Sequence, residues 1–415
     1  MSSATQRLSR ISHQLHGEDG GKSSSAHIFG KSPSDVAMRT PLTKAKKGFL
    51  KHTQLEGLLV PLLQHVRQAS AIKPNLVEEI VVGNLLHKDA PFVTRASALA
   101  AGYPATTAIS TVSRWCSSGL LAVEAVAQKA AVGSINIGIA VGAERMSCNP
   151  NNGAPVFPSR FMEDPTIQDV TQPMPWTAEN VARDFGITRE RQDEQAAASF
   201  CKAEATQKAG FFADEIVPIA TSWIDPKSGE VRNVLAEYDD GIHYGTTKQA
   251  LSKVRSAFPQ WPPTTTTAER LQQPVLGKFV LSTVTGLEPR SMGVGPVYAI
   301  PKLLAKVGIR KDDVEIFQIN KAFAYMLVYC MDTLELGPRK VNPPGGAIAF
   351  GHPLGCTGAR QIVTALAELK RTGGRVAVTS MCVGTVQGFT NRGRKILPQD
   401  PSLLLSTPRL LAQVI

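Results

Sequence analysis

The sequence predicts an α/β protein made of two similar halves, with a loop domain inserted into the first half. Two stretches repeat one strand–loop–helix–strand plan, and their strands are continuously apolar. Such strands are typical of parallel sheets that helices cover on both faces. At 415 residues the chain is also long for one hydrophobic core, so two or more packed units are expected.

The first copy of the plan begins with a β-prone run at residues 107–112. This run leads into Arg-Trp-Cys-Ser-Ser-Gly at 114–119. A helix is expected at 120–131, because apolar side chains recur there at helical spacing. Gly133 ends this helix, and the apolar run at 135–141 has the length of a strand. The apolar face of the helix comprises Leu120, Val123, Val126, Ala127 and Ala130.

The second copy begins at residues 345–350, which stand in the place of the first strand and lead into Gly-His-Pro-Leu-Gly at 351–355. A helix is expected at about 358–370, and Gly373 ends it. A buried strand is then expected at 376–381. The apolar face of this helix comprises Ile362, Val363, Leu366 and Leu369.

Three segments fall outside this plan. Residues 147–257 are rich in Pro, Met and charge, and are predicted to form the loop domain over the site. Residues 1–32 are rich in Ser, His and Gly and are predicted to be a flexible leader. Residues 397–415 are predicted to be an irregular tail.

Composition limits the partners of the chain. Hydrophobic residues at 43% and charged residues at 19% are typical of a soluble globular protein, and no apolar run approaches the roughly 20 residues of a membrane span. The net charge of +11 suggests an anionic partner, but no nucleic-acid-binding signature is present. A phosphorylated ligand such as coenzyme A fits, because a few Lys and Arg suffice for phosphates. A generally basic surface is the alternative.

Three residues are candidates for chemistry. Cys116 lies where a strand gives way to a helix, and a helix N-terminus stabilises a thiolate. An inert buried cysteine is the alternative, although the small flanking residues favour a nucleophile. His352 follows a glycine in a tight turn, which suits either a base for a thiol or a solvated turn residue. Cys382 ends a strand, before backbone whose N–H groups could hold an oxyanion. The six cysteines have no paired short spacing, so neither a zinc site nor a disulfide framework is predicted.

Together these residues resemble the thiolase family. Arg114-x-Cys116-Ser117-Ser118-Gly119 is similar to its nucleophile motif, and Asn-Lys-Ala-Phe-Ala at 320–324 to its Asn-Glu-Ala-Phe motif. Residues 342–360 resemble the histidine motif almost throughout, and Cys-Val-Gly-Thr at 382–385 resembles the second cysteine motif. The resemblance implies a duplicated five-layer α-β-α-β-α sandwich, with halves at residues 33–268 and 269–396.

The resemblance also implies a mechanism and a role for each residue. His352 would lower the pKa of Cys116, whose thiolate would attack the 3-keto carbonyl of a bound 3-ketoacyl thioester. Cys382 would protonate the released acetyl-CoA enolate and then deprotonate the incoming coenzyme A. The N–H groups of Cys116 and Gly384 would form one oxyanion hole. His352 and a water held by Asn320 would form the other. Coenzyme A would be a co-substrate, with no metal or resident cofactor.

The sequence departs from the family at several positions. Lys321 stands where the family has Glu, and Trp115 replaces a smaller polar residue. After Ala268 the family's next strand is missing, since the chain runs straight into Glu269. Losing a central strand leaves buried N–H and C=O groups unpaired, at roughly 1–3 kcal/mol for each. Either the chain completes its sheet in another way, or its thiolase-like fold is impaired.

The resemblance points to an acetyl-CoA C-acyltransferase of peroxisomal fatty-acid β-oxidation, or of a related lipid or specialised-metabolite pathway. It also implies that the chain forms a homodimer. Arg7-Leu8 and Gln14-Leu15 are spaced like a type 2 peroxisomal import signal, so an import receptor is an expected partner. A catalytically impaired protein that binds acyl-CoA or a partner is the alternative function. A one-way condensing enzyme is a third hypothesis, which Cys382 disfavours.

Overall fold

The computed structural model describes residues 36–147, 156–254, 278–320, 322–383, 387–394 and 409–414. Eleven α-helices and eleven strands lie in these ranges. The helices are α1 (Leu55–Ser70), α2 (Ala90–Ala100), α3 (Ser118–Ala131), α4 (Pro165–Thr171), α5 (Met174–Asp184), α6 (Arg189–Lys208), α7 (Lys248–Ser252), α8 (Gly295–Val307), α9 (Ala324–Leu334), α10 (Ala347–Phe350) and α11 (Leu354–Thr372). The strands are β1 (Ala37–Arg39), β2 (Glu79–Gly83), β3 (Ala108–Val112), β4 (Ile137–Gly142), β5 (Ile219–Ile224), β6 (Val231–Ala236), β7 (Lys278–Gly286), β8 (Ile316–Ile319), β9 (Val376–Val383), β10 (Gln387–Arg394) and β11 (Arg409–Val414).

Two sheets organise the molecule. The first has the order β1-β11-β4-β2-β3 and is parallel throughout. The second has the order β7-β10-β9-β8, in which β10 is antiparallel to both of its neighbours. The hairpin of β5 and β6 is separate from both sheets.

Helices cover both faces of each sheet. Helix α1 packs on the outer face of the first sheet, where Leu59 and Leu62 join a buried cluster with Ile80 and Ile139. Helices α8 and α9 pack on the outer face of the second sheet around Phe317. Helices α3 and α11 lie between the two sheets. The result is five layers, in the order helix, sheet, helix, sheet, helix.

The two central helices touch at their backbones, because glycines face each other there. A Cβ atom added at Gly119 would lie 2.7 Å from the backbone nitrogen of Ala359. One added at Gly358 would lie 2.5 Å from the backbone nitrogen of Leu120. Contacts this close leave no room for a side chain. The N-terminal ends of α3 and α11 are therefore held side by side.

The first copy of the sequence plan is confirmed. Strand β3, helix α3 and strand β4 lie where they were expected, and α3 begins two residues early at Ser118. In the second copy the helix and the strand after it are confirmed, and α11 begins at Leu354.

The expectation that residues 345–350 form a strand is wrong. Residues Ala347–Phe350 form the short helix α10, and the strand that pairs with β9 is β8. Gly345, Gly346 and Gly351 have φ values of 119°, 85° and 93°. These left-handed conformations are incompatible with an extended strand.

The expectation of an irregular tail at 397–415 is wrong for residues 409–414, which form β11. This strand lies between β1 and β4 and pairs with both. The sequence predicts that the first half lacks a strand after Ala268, and those residues fall outside the described ranges. The first sheet nevertheless has a strand in its interior, taken from the far end of the chain.

The residues predicted to form the loop domain contain α4 to α7 and the β5–β6 hairpin in their described part. A buried ionic cluster joins this region to β1, where Arg39 Nε lies 3.3 Å from Glu215 and Arg39 Nη1 lies 3.3 Å from Asp239. Such buried charges are tolerated because they are paired. The domain boundaries, including the leader at 1–32, remain predictions. No described helix has the length and apolar character to span a membrane.

Candidate active site

Cys116 lies in a tight turn between β3 and α3. Trp115, just before it, has a φ of 49°, an uncommon conformation for a residue with a side chain. The turn is held by hydrogen bonds from the Ser117 backbone N–H to the Arg114 carbonyl (3.0 Å) and from the Ser118 backbone N–H to the Trp115 carbonyl (3.1 Å). Cys116 is 9% exposed. Its sulfur thus lies at the N-terminal end of α3, where a helix favours negative charge.

His352 lies at the matching end of α11 and is held at both ring nitrogens. Nδ1 is 2.7 Å from the Thr357 hydroxyl, and that hydroxyl donates to the Pro353 carbonyl at 2.9 Å. Because the hydroxyl has one proton and gives it to the carbonyl, its oxygen accepts from Nδ1–H. The lone pair of the ring is then on Nε2, which lies 3.3 Å from Asn320 Nδ2. The ring of His352 is therefore held with its protonated nitrogen at Nδ1 and its acceptor nitrogen at Nε2.

The surroundings of His352 favour its neutral form. Burial, and then the positive charge of Arg360, lowers the pKa of His352 from 6.5 to about 3. A neutral imidazole can accept a proton at physiological pH, whereas an imidazolium cannot.

Asn320 follows strand β8 and completes this side of the site. Its backbone N–H donates to the Ser380 carbonyl at 2.8 Å, and its side chain is buried. The side-chain oxygen Oδ1 has no partner among the residues that the structure describes. A buried acceptor without a hydrogen-bond donor is costly, so Oδ1 marks a place where a water or a substrate group can donate. Lys321, its neighbour in the sequence, falls outside the described ranges.

Cys382 lies near the end of β9 and is 2% exposed. Its sulfur lies 4.0 Å from the Met326 sulfur. Burial, and then the charge of Cys116, raises the pKa of Cys382 well above its usual value. Cys382 is therefore a protonated thiol within electrostatic reach of Cys116. Gly384, the expected backbone donor, lies outside the described residues.

Two residues without a predicted role support the site. Thr357 fixes the ring of His352, as described above. Glu144, directly beyond β4, accepts from the backbone N–H groups of Gly355 (3.0 Å) and Leu85 (3.2 Å), and so joins the first half to the start of α11. Burial raises the pKa of Glu144, and those N–H donors oppose the rise. Its position after a parallel strand was the one sequence signal for this role.

The fold and the site define the class of protein, a duplicated five-layer α/β protein with a cysteine and a histidine at the starts of its two central helices. Two stacked sheets enclose paired helices, and a thiol and a neutral imidazole lie where those helices begin. Family models described as "Thiolase, N-terminal domain" and "Thiolase, C-terminal domain" match residues 36–272 and 273–391. The chain belongs to the thiolase family.

Similar proteins agree with this assignment along most of the chain. The peroxisomal 3-ketoacyl-CoA thiolase of Yarrowia lipolytica is 41% identical over 408 residues, which cover 92% of this chain and 98% of that protein. The peroxisomal 3-ketoacyl-CoA thiolase A of Mus musculus is 42% identical over 389 residues, covering 88% of this chain and 92% of that protein.

Solved structures agree with the fold. The dimeric peroxisomal thiolase of Saccharomyces cerevisiae has a TM-score of 0.77 at 37% identity, covering 88% of this chain and 99% of that one. A second structure of the yeast peroxisomal enzyme, with a TM-score of 0.63 at 34% identity, covers the same shares. It is described as a five-layered α-β-α-β-α structure of two core domains with identical topology. The predicted five-layer, duplicated fold is confirmed.

Proposed function

We propose that the chain is an acetyl-CoA C-acyltransferase that cleaves 3-ketoacyl-CoA into acetyl-CoA and a shortened acyl-CoA in peroxisomal fatty-acid β-oxidation. The observation that carries the proposal is that the N-terminal ends of α3 and α11 lie side by side. One presents Cys116, and the other presents His352 as a neutral base. The names of the relatives support the substrate and the compartment.

The first half-reaction transfers the acyl group to Cys116. His352 Nε2 takes the thiol proton, and the thiolate attacks the 3-keto carbonyl carbon. The bond between C2 and C3 then breaks, so that the acyl group stays on the sulfur as a thioester. The electron pair leaves with C2 as the enolate of acetyl-CoA. Cys382, held protonated by burial, donates its proton to C2.

The second half-reaction releases the acyl group. The Cys382 thiolate takes the proton from the thiol of an incoming coenzyme A, and the resulting thiolate attacks the acyl thioester. Cys116 leaves as a thiolate and recovers its proton from His352. Both cysteines and the imidazole return to their starting states, and coenzyme A is consumed as a co-substrate.

Two groups of donors would stabilise the negative oxygen in each half-reaction. The N–H groups of Cys116 and Gly384 form one oxyanion hole in this proposal. His352 and a water held by Asn320 form the other, and the unfilled Oδ1 of Asn320 supports this role. Donors preorganised in this way commonly contribute the largest share of such catalysis.

The chain acts as a homodimer in this proposal, as the yeast relative is described as dimeric. In the described part of the first sheet, β3 is an edge strand. Phe92 and Leu99 on the adjacent helix α2 are 81% and 45% exposed. An open edge beside apolar side chains is typical of a surface that pairs with another chain. The proposed import signal and its receptor concern residues before the described ranges.

A thiolysis assay tests the proposal. Purified protein is given coenzyme A with acetoacetyl-CoA or with a long-chain 3-ketoacyl-CoA, and the acyl-enzyme is sought by intact mass. Turnover of at least one substrate is expected, with an acyl adduct that maps to Cys116. Cys116→Ala should lose both the adduct and turnover. A folded protein that turns over neither substrate, or a fully active Cys116→Ala variant, would refute the assignment.

A further inference from the structure

Strand β11 occupies an interior position in the first sheet. Its Ala412 pairs with Ala37 of β1 on one side and with Ala140 of β4 on the other, and all three strands are parallel. The described residues of β1 are buried, as are nearly all of those in β4. Without β11, the facing N–H and C=O groups of β1 and β4 would be unpaired in the protein interior. Buried backbone groups are rarely left in that state.

The strand also lies against both central helices. Helices α3 and α11 each contact β11 on the face of the sheet that points to the molecule's middle layer. These are the helices whose first turns follow Cys116 and His352. The sheet surface that supports these two helices is therefore formed partly by β11, the last segment of the chain that the structure describes.

The position can be reached from the same chain. Strand β10 ends at Arg394 in the second sheet, and β11 begins at Arg409 in the first. The connecting residues can span roughly 45 Å when extended. Sheets separated by one layer of helices lie about 20 Å apart, since each packed interface adds about 10 Å. No second molecule is needed to supply the strand.

We propose that β11 is a positioning element of the acyl-transfer site. Its insertion between β1 and β4 fixes the part of the first sheet against which α3 and α11 pack, and so sets the distance between Cys116 and His352. The role in acyl transfer rests on the function proposed above. A chain without the strand keeps every reacting group but holds them less accurately, so kcat falls more than the affinity for coenzyme A.

A shortened chain tests this inference. The chain that ends at Thr407 lacks the strand, and a chain that ends at Val414 is the matched control. Hydrogen exchange of the β1 and β4 amides should rise at least tenfold in the shortened chain, while the β8 amides change little. Thiolysis kcat should fall at least tenfold with little change in KM for coenzyme A, and a peptide of residues 408–415 should restore part of it. Unchanged protection of β1 and β4 would overturn the proposal.

A cross-link in the full chain decides the matter if the shortened chain does not fold. Neighbouring strands are about 4.8 Å apart, within the range that a disulfide can bridge. Ala37→Cys with Ala412→Cys should therefore form a disulfide between the introduced residues. Ala37→Cys with Gln413→Cys should not, because adjacent residues on a strand point to opposite faces. Equal yields in the two variants, or none in either, would overturn the strand's placement.

Exchange and cross-linking need no turnover. An inactive full chain that passes both would contradict the proposed reaction and leave the strand's placement standing. An active full chain whose shortened form keeps its kcat would contradict only the positioning role.

Discussion

The two sheets differ in the origin and direction of the strand at their second position. In the second sheet, the strand between β7 and β9 is β10, which follows β9 closely in the chain and is antiparallel to both neighbours. In the first sheet, the corresponding strand between β1 and β4 is β11, which comes from the far end of the chain and is parallel to both. Both orders satisfy the backbone of the flanking strands. A position in a sheet is thus defined by the backbone hydrogen bonds made there and by the helices that cover it. The strand that occupies it can run in either direction, and it can come from a near or a distant part of the chain.

The two halves also differ in chemistry. The first half provides Cys116 alone, at the start of α3. The second half provides the base His352, the proton carrier Cys382, and Asn320, whose Oδ1 has no hydrogen-bond partner among the described residues. Because the site forms where the halves meet, formation of the thiolate depends on both halves, whereas the later proton transfer to the enolate depends on Cys382 of the second half.

Among the changes that leave Cys116 in place, the largest expected effect is at Cys382, the proton carrier of the second half. Cys382→Ala should lower thiolysis kcat about 10²- to 10⁴-fold, because the enolate then lacks its acid. Alkylation of Cys116 should remain close to normal. Cys330→Ala is the matched control, since Cys330 is also a buried thiol but lies in α9. Equal losses in the two variants would contradict the role of Cys382.

A change at the contact between the halves should have a somewhat smaller effect. Gly119→Ala places a methyl group against the backbone of Ala359 and pushes α3 away from α11. A displacement of about 1 Å between reacting groups costs about 10²-fold in kcat. Gly337→Ala is the control, because a Cβ atom there meets no described atom within 4 Å. A Gly119→Ala enzyme with normal kcat would show that the close approach of the helices is unimportant.

The orientation of the imidazole can be tested without removing it. Thr357→Val removes the oxygen that accepts from His352 Nδ1, so the ring loses its fixed tautomer. We expect kcat/KM to fall about tenfold, the order of one net hydrogen bond. Thr364→Val on the same helix is the control, since its hydroxyl has no partner in the described structure. The tautomer is read from the ¹⁵N chemical shifts of histidine, and a Thr357→Val spectrum identical to that of the parent would contradict the assignment.

The smallest expected effect concerns pH and stability. The folded pKa of His352 is lowered to about 3, whereas the unfolded value is 6.5. Protonation therefore favours the unfolded chain, so stability is retained above pH 6.5 and falls as the pH drops from 6.5 towards 3. The change in unfolding free energy between pH 7.5 and 5.5 should be smaller in His352→Gln, by on the order of 1 kcal/mol. Identical changes, measured by urea denaturation, would contradict the lowered pKa.

Much of the fold follows from local patterns in the sequence. The helical spacing of Leu120 to Ala130 and the apolar runs on either side of it predict β3, α3 and β4, because each element is specified by its own residues. The prediction of a strand at residues 345–350 fails, because the glycines on both sides of residues 347–350 impose turns that an apolar run does not reveal.

Other features depend on distant residues and could not be predicted locally. The sequence indicates that a strand is missing from the first half, but a short apolar run such as 409–414 does not specify which sheet it joins. Asn320 was assigned by resemblance, and its hydrogen bond to His352 joins residues 32 positions apart. The contact of Thr357 with His352 depends on α11 beginning at Leu354, directly after the His352 turn, whereas the sequence pattern predicts a start at about residue 358.

The most direct test of the site is the alkylation of Cys116 by iodoacetamide at pH 7, followed by peptide mapping. Cys116 should react before the other cysteines, and His352→Ala should slow its reaction at least tenfold, because the base that takes its proton is gone. A Cys116 that stays unmodified while other cysteines react, or one that reacts equally fast without His352, would contradict the proposed pairing of thiol and imidazole.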